Sequence, residues 1–154
     1  TQDRLRNLEL HLPLRAVIAT DFSRVHHEGW VFQPNVEITI KNFAGNQGLK
    51  SNLMAGLNFS SRRYNHYYYA VDPAFATTDR PAYAPGHGYA GAQITASLSK
   101  RYQNFWVGSF ARWENLRGAV FEDSPLVKDH DYFAVGIAIS WIIGESKTRV
   151  PDRE

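Results

Sequence analysis

Apolar and polar side chains alternate along most of this chain, most clearly near its C-terminal end. Over residues 131–143 the odd positions are Phe133, Val135, Ile137, Ile139 and Trp141, and the even ones include Ala134, Gly136, Ala138 and Ser140. Successive side chains of a strand point to opposite faces, so this segment predicts a strand with one large apolar face and one face of small residues. Leu8, Leu10, Leu12, Leu14, Ala16 and Ile18 make a similar stripe, opposite Asn7, Glu9, His11 and Arg15. Trp30, Phe32, Val36, Ile38 and Ile40 make another, opposite Gln33, Asn35, Glu37, Thr39 and Lys41. Pro13 and Pro34 interrupt these two runs; each removes a ladder donor and predicts a bulge or a local gap in pairing. Three more strands are predicted. One alternates Leu53, Ala55, Leu57 and Phe59 with Asn52, Met54, Gly56 and Asn58, and the others cover 89–99 and 105–114.

Between these six runs the longer connections, 21–29, 62–88 and 115–130, fall at one end of the predicted sheet. The shorter ones, 42–50 and 100–104, fall at the other. The stretch 62–88 is rich in Pro, Gly and Tyr, has no sustained period, and predicts an irregular loop. A loop of that length counts against a compact soluble domain, whereas outer-membrane barrels pair short turns at one end with long loops at the other. Trp30, Tyr64, Tyr89, Trp113 and Tyr132 fall near the long-loop ends of strands, and Phe43, Tyr102 and Trp141 near the opposite ends. Two such aromatic belts are expected where a barrel meets the two membrane interfaces. The predicted fold is all-β: an antiparallel up-and-down transmembrane β-barrel with about six strands present. Residues 1–144 would form one unit and 145–154 a charged tail. A soluble barrel of lipocalin type, with the apolar faces turned into a core, is the competing reading of the same pattern.

Composition narrows this picture. With 154 residues the chain is one domain's worth, and its net charge of +2 offers no basic field for nucleic acid. It has no cysteine, so disulfides and thiolate chemistry are excluded. No apolar run reaches the length of a membrane-spanning helix; a membrane barrel needs none. The opening TQDRLRNLEL has neither the basic nor the apolar region of a signal peptide, and the expectation is a mature or truncated piece.

Candidate chemistry is sparse. His26, His27, His66, His87 and His130 all fall in predicted loops without ligand spacing, which favours solvated side chains over a metal site. Ser124, Asp129 and His130 are the residue types of a hydrolase triad, but no Gly-x-Ser-x-Gly elbow surrounds Ser124 and Pro125 follows it. A turn re-entering the sheet is the better reading. Glu9, Arg15, Glu37 and Lys41 would face the barrel interior, as structural ion pairs or as the lining of a narrow pore.

The segment Tyr67-Tyr68-Tyr69-Ala70-Val71-Asp72-Pro73 continues to Arg80-Pro81-Ala82-Tyr83 and Gly88. Asp123-Ser124-Pro125-Leu126-Val127 then introduces the terminal strand. In order and spacing these resemble the MipA/OmpV family of outer-membrane proteins. Tyr67, Tyr69, Pro73, Arg80, Tyr83, Gly88, Ser124, Pro125 and Leu126 carry the resemblance. It implies an outer-membrane location and a barrel of about twice this strand count, of which this chain is the C-terminal portion. An N-terminal set of strands and a signal peptide would then be missing. It also implies a non-enzymatic scaffold, without cofactor, joining a murein lytic transglycosylase to a penicillin-binding protein. A narrow pore for small solutes and a soluble lipocalin-like binder are the alternatives. Phe133, Val135, Ile137 and Ile139 are expected to face lipid, with Trp141 at the periplasmic interface. The chain departs from many outer-membrane proteins in not ending on an aromatic residue of its last strand.

Overall fold

A computed structural model describes residues 6–144 of the chain; the tail expected over 145–154 lies outside the described residues. Eight strands form one antiparallel sheet: β1 (Arg6–His11), β2 (Leu14–Thr20), β3 (Val25–Phe32), β4 (Asn35–Lys41), β5 (Leu49–Ser60), β6 (Gly88–Arg101), β7 (Phe105–Asn115) and β8 (Asp131–Trp141). Helix α1 (Arg62–Tyr69) follows β5. The sheet order is β1-β4-β5-β6-β7-β8, with β2 on β3 and β3 also touching β5. Among the described residues no ladder joins β8 to β1 or β2, so the sheet has two open sides.

Eight strands replace the six expected, and the prolines are the reason. The first apolar run divides into β1 and β2 at Pro13, and the second into β3 and β4 at Pro34. Because a proline nitrogen cannot donate, the ladder is carried across both gaps by the proline carbonyls instead. Gln33 N donates to Pro13 O (3.0 Å) and Leu57 N to Pro34 O (3.0 Å). The eight strands thus run as six staves in sequence order. Above Pro34 the sheet parts: β4 pairs with β5 along its whole length, whereas β3 meets β5 only at Val31↔Ser60 and Phe32↔Phe59.

Two connections also differ from expectation. The link expected over 21–29 is only 21–24, because the Asp21 carboxylate accepts from Ser23 N (3.0 Å) and Arg24 N (2.7 Å) and closes the chain tightly. Hydrogen bonds from Arg24 and then Ser23 hold that carboxyl below the usual range. His26 and His27 therefore belong to β3, opposite Ala19 and Ile18. Long connections at this end are two, not three. The stretch 62–88 is not wholly irregular either, since it opens with α1, which also contains His66.

Register sorts the side chains onto two faces. One cross-sheet row reads Leu10, Val36, Ala55, Ile94, Trp113, Phe133, and the next Leu8, Ile38, Leu53, Ala96, Ala111, Val135. The opposite face carries Glu9, Glu37, Met54, Thr95, Arg112 and Ala134 in one row. Phe133, Val135 and Ile137 are each about 80% exposed, and Leu8 and Leu10 about 70%. Among the described residues the apolar face therefore covers no core, whereas the lipocalin-like alternative requires one behind it. On the polar face, glycines make room for rings: Phe110 lies across Gly136, and Trp106 across Gly108, where a Cβ would collide with each ring.

Candidate functional site: the capped end of the sheet

The residues that carried the family resemblance converge at the long-connection end, where β5 passes into α1. Ser61 makes that junction. Its hydroxyl accepts from Tyr64 N (3.4 Å), capping the helix, and from Trp30 N (3.0 Å) on β3, while Ser61 N donates to Trp30 O (3.0 Å). The start of α1 thus takes over as partner to β3 where β5 ends. Such close approach needs Gly29, whose φ is +127° and whose missing Cβ would meet Ser61 Oγ and Tyr64 N.

Inside the cap, Asn65 is fully buried. Ser60 Oγ donates to its Oδ1, and its Nδ2 donates to Gly86 O (2.9 Å), tying the far end of the 62–88 connection to the helix. Tyr69 stacks on Phe121, centroids 3.7 Å apart and planes 5° from parallel. Ser124 Oγ donates to Tyr69 O (2.7 Å), and Tyr83 OH to Val120 O (3.3 Å). Val71 and Tyr83 exchange backbone hydrogen bonds, and Val120 N donates to Tyr89 O. The two long connections are therefore locked together over a small apolar cluster of Ala90, Ala119 and Phe121. Burial pushes the Tyr69 phenol up to about 12 and raises that of Tyr83.

Beneath the cap lies a cavity of about 210 Å³ whose lining includes Arg15, Gln33, Asn58, Tyr69, Arg112 and Glu114. Arg112 Nη2 donates to Gln93 Oε1 (2.7 Å) and pairs with Glu114 Oε1 (2.7 Å). At the start of β8, Asp131 accepts from Trp113 Nε1 (3.0 Å), Asn115 Nδ2 (2.8 Å) and Arg117 Nη2 (3.3 Å), fixing the end of β7 to β8.

Of the motif residues, Tyr69, Tyr83 and Ser124 meet in the cap, with Pro125 partly buried beside them. Gly88 has φ +134° and sits against Val120. Pro73 starts a single 3-10 turn capped by Asp72, and Arg80 Nη2 donates to Phe75 O (3.0 Å), so these two shape their own loop. Tyr67 and Leu126 stay exposed. Ser124 and His130 are not brought together: the serine hydroxyl is committed to Tyr69 O, and His130 Nε2 lies 3.6 Å from Glu122 Oε1. Sequence reasoning missed Asn65, Phe121 and the Gln93–Arg112–Glu114 set. Ser61 three residues before Tyr64 is an ordinary helix-start signal; nothing in the sequence singles out Asn65.

A family model described as MltA-interacting protein MipA matches residues 1–143. Among curated proteins, outer membrane protein Omp26La of Vibrio anguillarum is 27% identical over 90 residues, covering 56% of this chain and 34% of that protein. The chain thus aligns with about a third of that relative's length. No solved structure matches.

Proposed function

As the chain belongs to the MltA-interacting protein MipA family and to the outer membrane, we propose that it acts there as a non-enzymatic scaffold. It would hold a murein lytic transglycosylase beside a penicillin-binding synthase. The observation that carries this is the family description itself, which names the interaction with MltA. In this reading Phe133, Val135, Ile137, Ile139 and Trp141 meet lipid. Strands β5 to β8, of 11 to 14 residues, are long enough for a bilayer, which a tilted strand crosses in about 9–11. Hydrocarbon leaves no open edge unpaired, so strands from outside this chain close the sides of β1, β2 and β8, and residues 1–144 form the C-terminal part of a larger barrel. The capped end faces outward, and the short turns at 42–48 and 102–104 face the periplasm, where murein lies.

A pore is the second reading. The polar chamber lined by Arg15, Arg112 and Glu114 favours it, while the interlocked cap and the rings of Trp106 and Phe110 oppose it. Immobilised full-length protein should capture both murein enzymes from solubilised envelopes. Exchanging the turns at 42–48 and 102–104 for Gly/Ser links should abolish that capture. Capture of neither enzyme by the unaltered protein overturns the scaffold, and steady single-channel conductance in a planar bilayer establishes the pore instead.

A further inference from the structure

On the side of α1 away from the cap interior, Arg62, Arg63, His66 and Tyr67 share one face, spaced i and i+4. With Glu28 of β3 they line a surface hollow of about 480 Å³. Asn65 and Tyr69, which make the cap contacts, are not among the residues lining the hollow, and Arg62, three and seven residues before them, stands at the edge between the two faces. Among the described residues neither guanidinium group has a hydrogen-bond or ion-pair partner. Glu28 supplies one carboxylate against two guanidinium groups, and the hollow is net positive.

Its position is as informative as its charge. The strands that lead to it carry an aromatic row, Phe32 to Phe59 to Tyr89, with ring centroids 6.3 and 6.0 Å apart, Phe32 following Glu28 on β3 and Phe59 preceding Arg62 at the end of β5. Arg62 lies just past Phe59 along the chain, at the end of β5, and half-exposed Trp30 flanks the same level on β3. Trp and Tyr rings sit at the headgroup level of a bilayer, so in the lipid-facing reading Trp30 and Tyr89 set the two arginines near the depth of lipid phosphates. Guanidinium groups suit phosphate oxygens because their paired N–H donors match them two at a time.

We propose that Arg62, Arg63 and His66 form a binding site for the phosphate of an anionic membrane lipid, whose acyl chains lie over the aromatic row. The site rests on the reading that the apolar face meets lipid. The lipid would clip α1, and with it the cap, to the membrane surface.

The test uses full-length protein in nanodiscs of mixed phosphatidylcholine and phosphatidylglycerol, with the lipids that remain bound after detergent extraction counted by native mass spectrometry. Phosphatidylglycerol should be enriched over phosphatidylcholine. That enrichment should fall about fivefold for each arginine in Arg62→Gln and Arg63→Gln, the usual worth of a basic residue at an anionic surface. Glu28→Gln, which removes the opposing charge, should raise it. Enrichment unchanged in the double glutamine variant and in Glu28→Gln overturns the site. Displacement of the lipid by millimolar-range inorganic phosphate alone also overturns it, because the hollow would then read soluble phosphate. Heat-modifiable gel mobility is recorded on every variant. Its absence in the unaltered protein would instead overturn the membrane-barrel reading on which the site depends.

Discussion

Gly136 shows how finely single residues set the polar face of the sheet. A side chain there would have to enter the space occupied by the Phe110 ring on β7. Gly136→Val should therefore destabilise the folded protein by about 1–3 kcal/mol, as overpacking does. Phe110→Ala in the same chain should recover much of that, measured as a double-mutant cycle of urea unfolding in lipid. The small-residue face of the last strand is legible from Ala134, Gly136 and Ala138; the ring that fills it is not, because periodicity gives no cross-strand register. Tyr69 makes a second prediction at this scale. Burial raises its phenol from 10.0 to about 12. A group whose folded value is raised contributes stability that is complete below its unfolded value and is lost as pH climbs through the folded one. The cap should stay closed up to about pH 10 and loosen between there and about 12. Absorbance titration should show one tyrosine ionising near 12 that disappears in Tyr69→Phe.

Among the elements, the strands were the easy part of the sequence. Alternation marks β5, β6 and β8 to within a few residues, β7 follows from the tight turn before it although Trp106 and Phe110 blur its facing, and Pro13 and Pro34 mark the breaks that turn two runs into four strands. Helix α1 was hidden for a physical reason. Its sequence RRYNHYYY has no apolar stripe, and it is held by a cap, one buried amide and a stacked ring rather than by a hydrophobic face. Tyr64 and Tyr67 each pack on Tyr68 with centroids 4.8 Å apart, contacts that composition alone suggests only as a tyrosine-rich loop. Ser61→Ala removes the acceptor for Tyr64 N and Trp30 N together. It should cost about 1–2 kcal/mol, seen as faster hydrogen exchange at those two amides and unchanged exchange within β7. Equal acceleration in both places would mean that the serine supports the whole sheet and not the junction.

At the scale of the whole sheet, two unlike faces and, among the described residues, two open sides are what its surroundings have to meet. The faces were legible from alternation, because a period of two survives any choice of partners. The up-and-down order follows from the loop lengths, and open sides from a strand count that is half of a larger barrel; the exact cross-strand register was not legible, because it is a long-range property. If the apolar face meets lipid, Ile137→Lys should cost about 2–4 kcal/mol near the bilayer midplane and block assembly. Ala138→Lys, on the polar face one residue away, should assemble with a much smaller loss. Equal yields of the two variants in a membrane-assembly assay would contradict the assignment of faces.

The junction between β3 and β5 has a consequence for the order of events as the protein folds. β3 touches β5 through two residue pairs, and the rest of its edge rests on Ser61 and the first turn of α1. A ladder that closes pair by pair cannot seat the β2–β3 hairpin until α1 exists, and α1 is held in turn by contacts from the connection between β7 and β8. Residues 14–32 should accordingly acquire protection last in a pulse-labelling time course, after β5 to β8 have zipped together. A hairpin that precedes β5 to β8 in the chain is then the last of them to reach its final place.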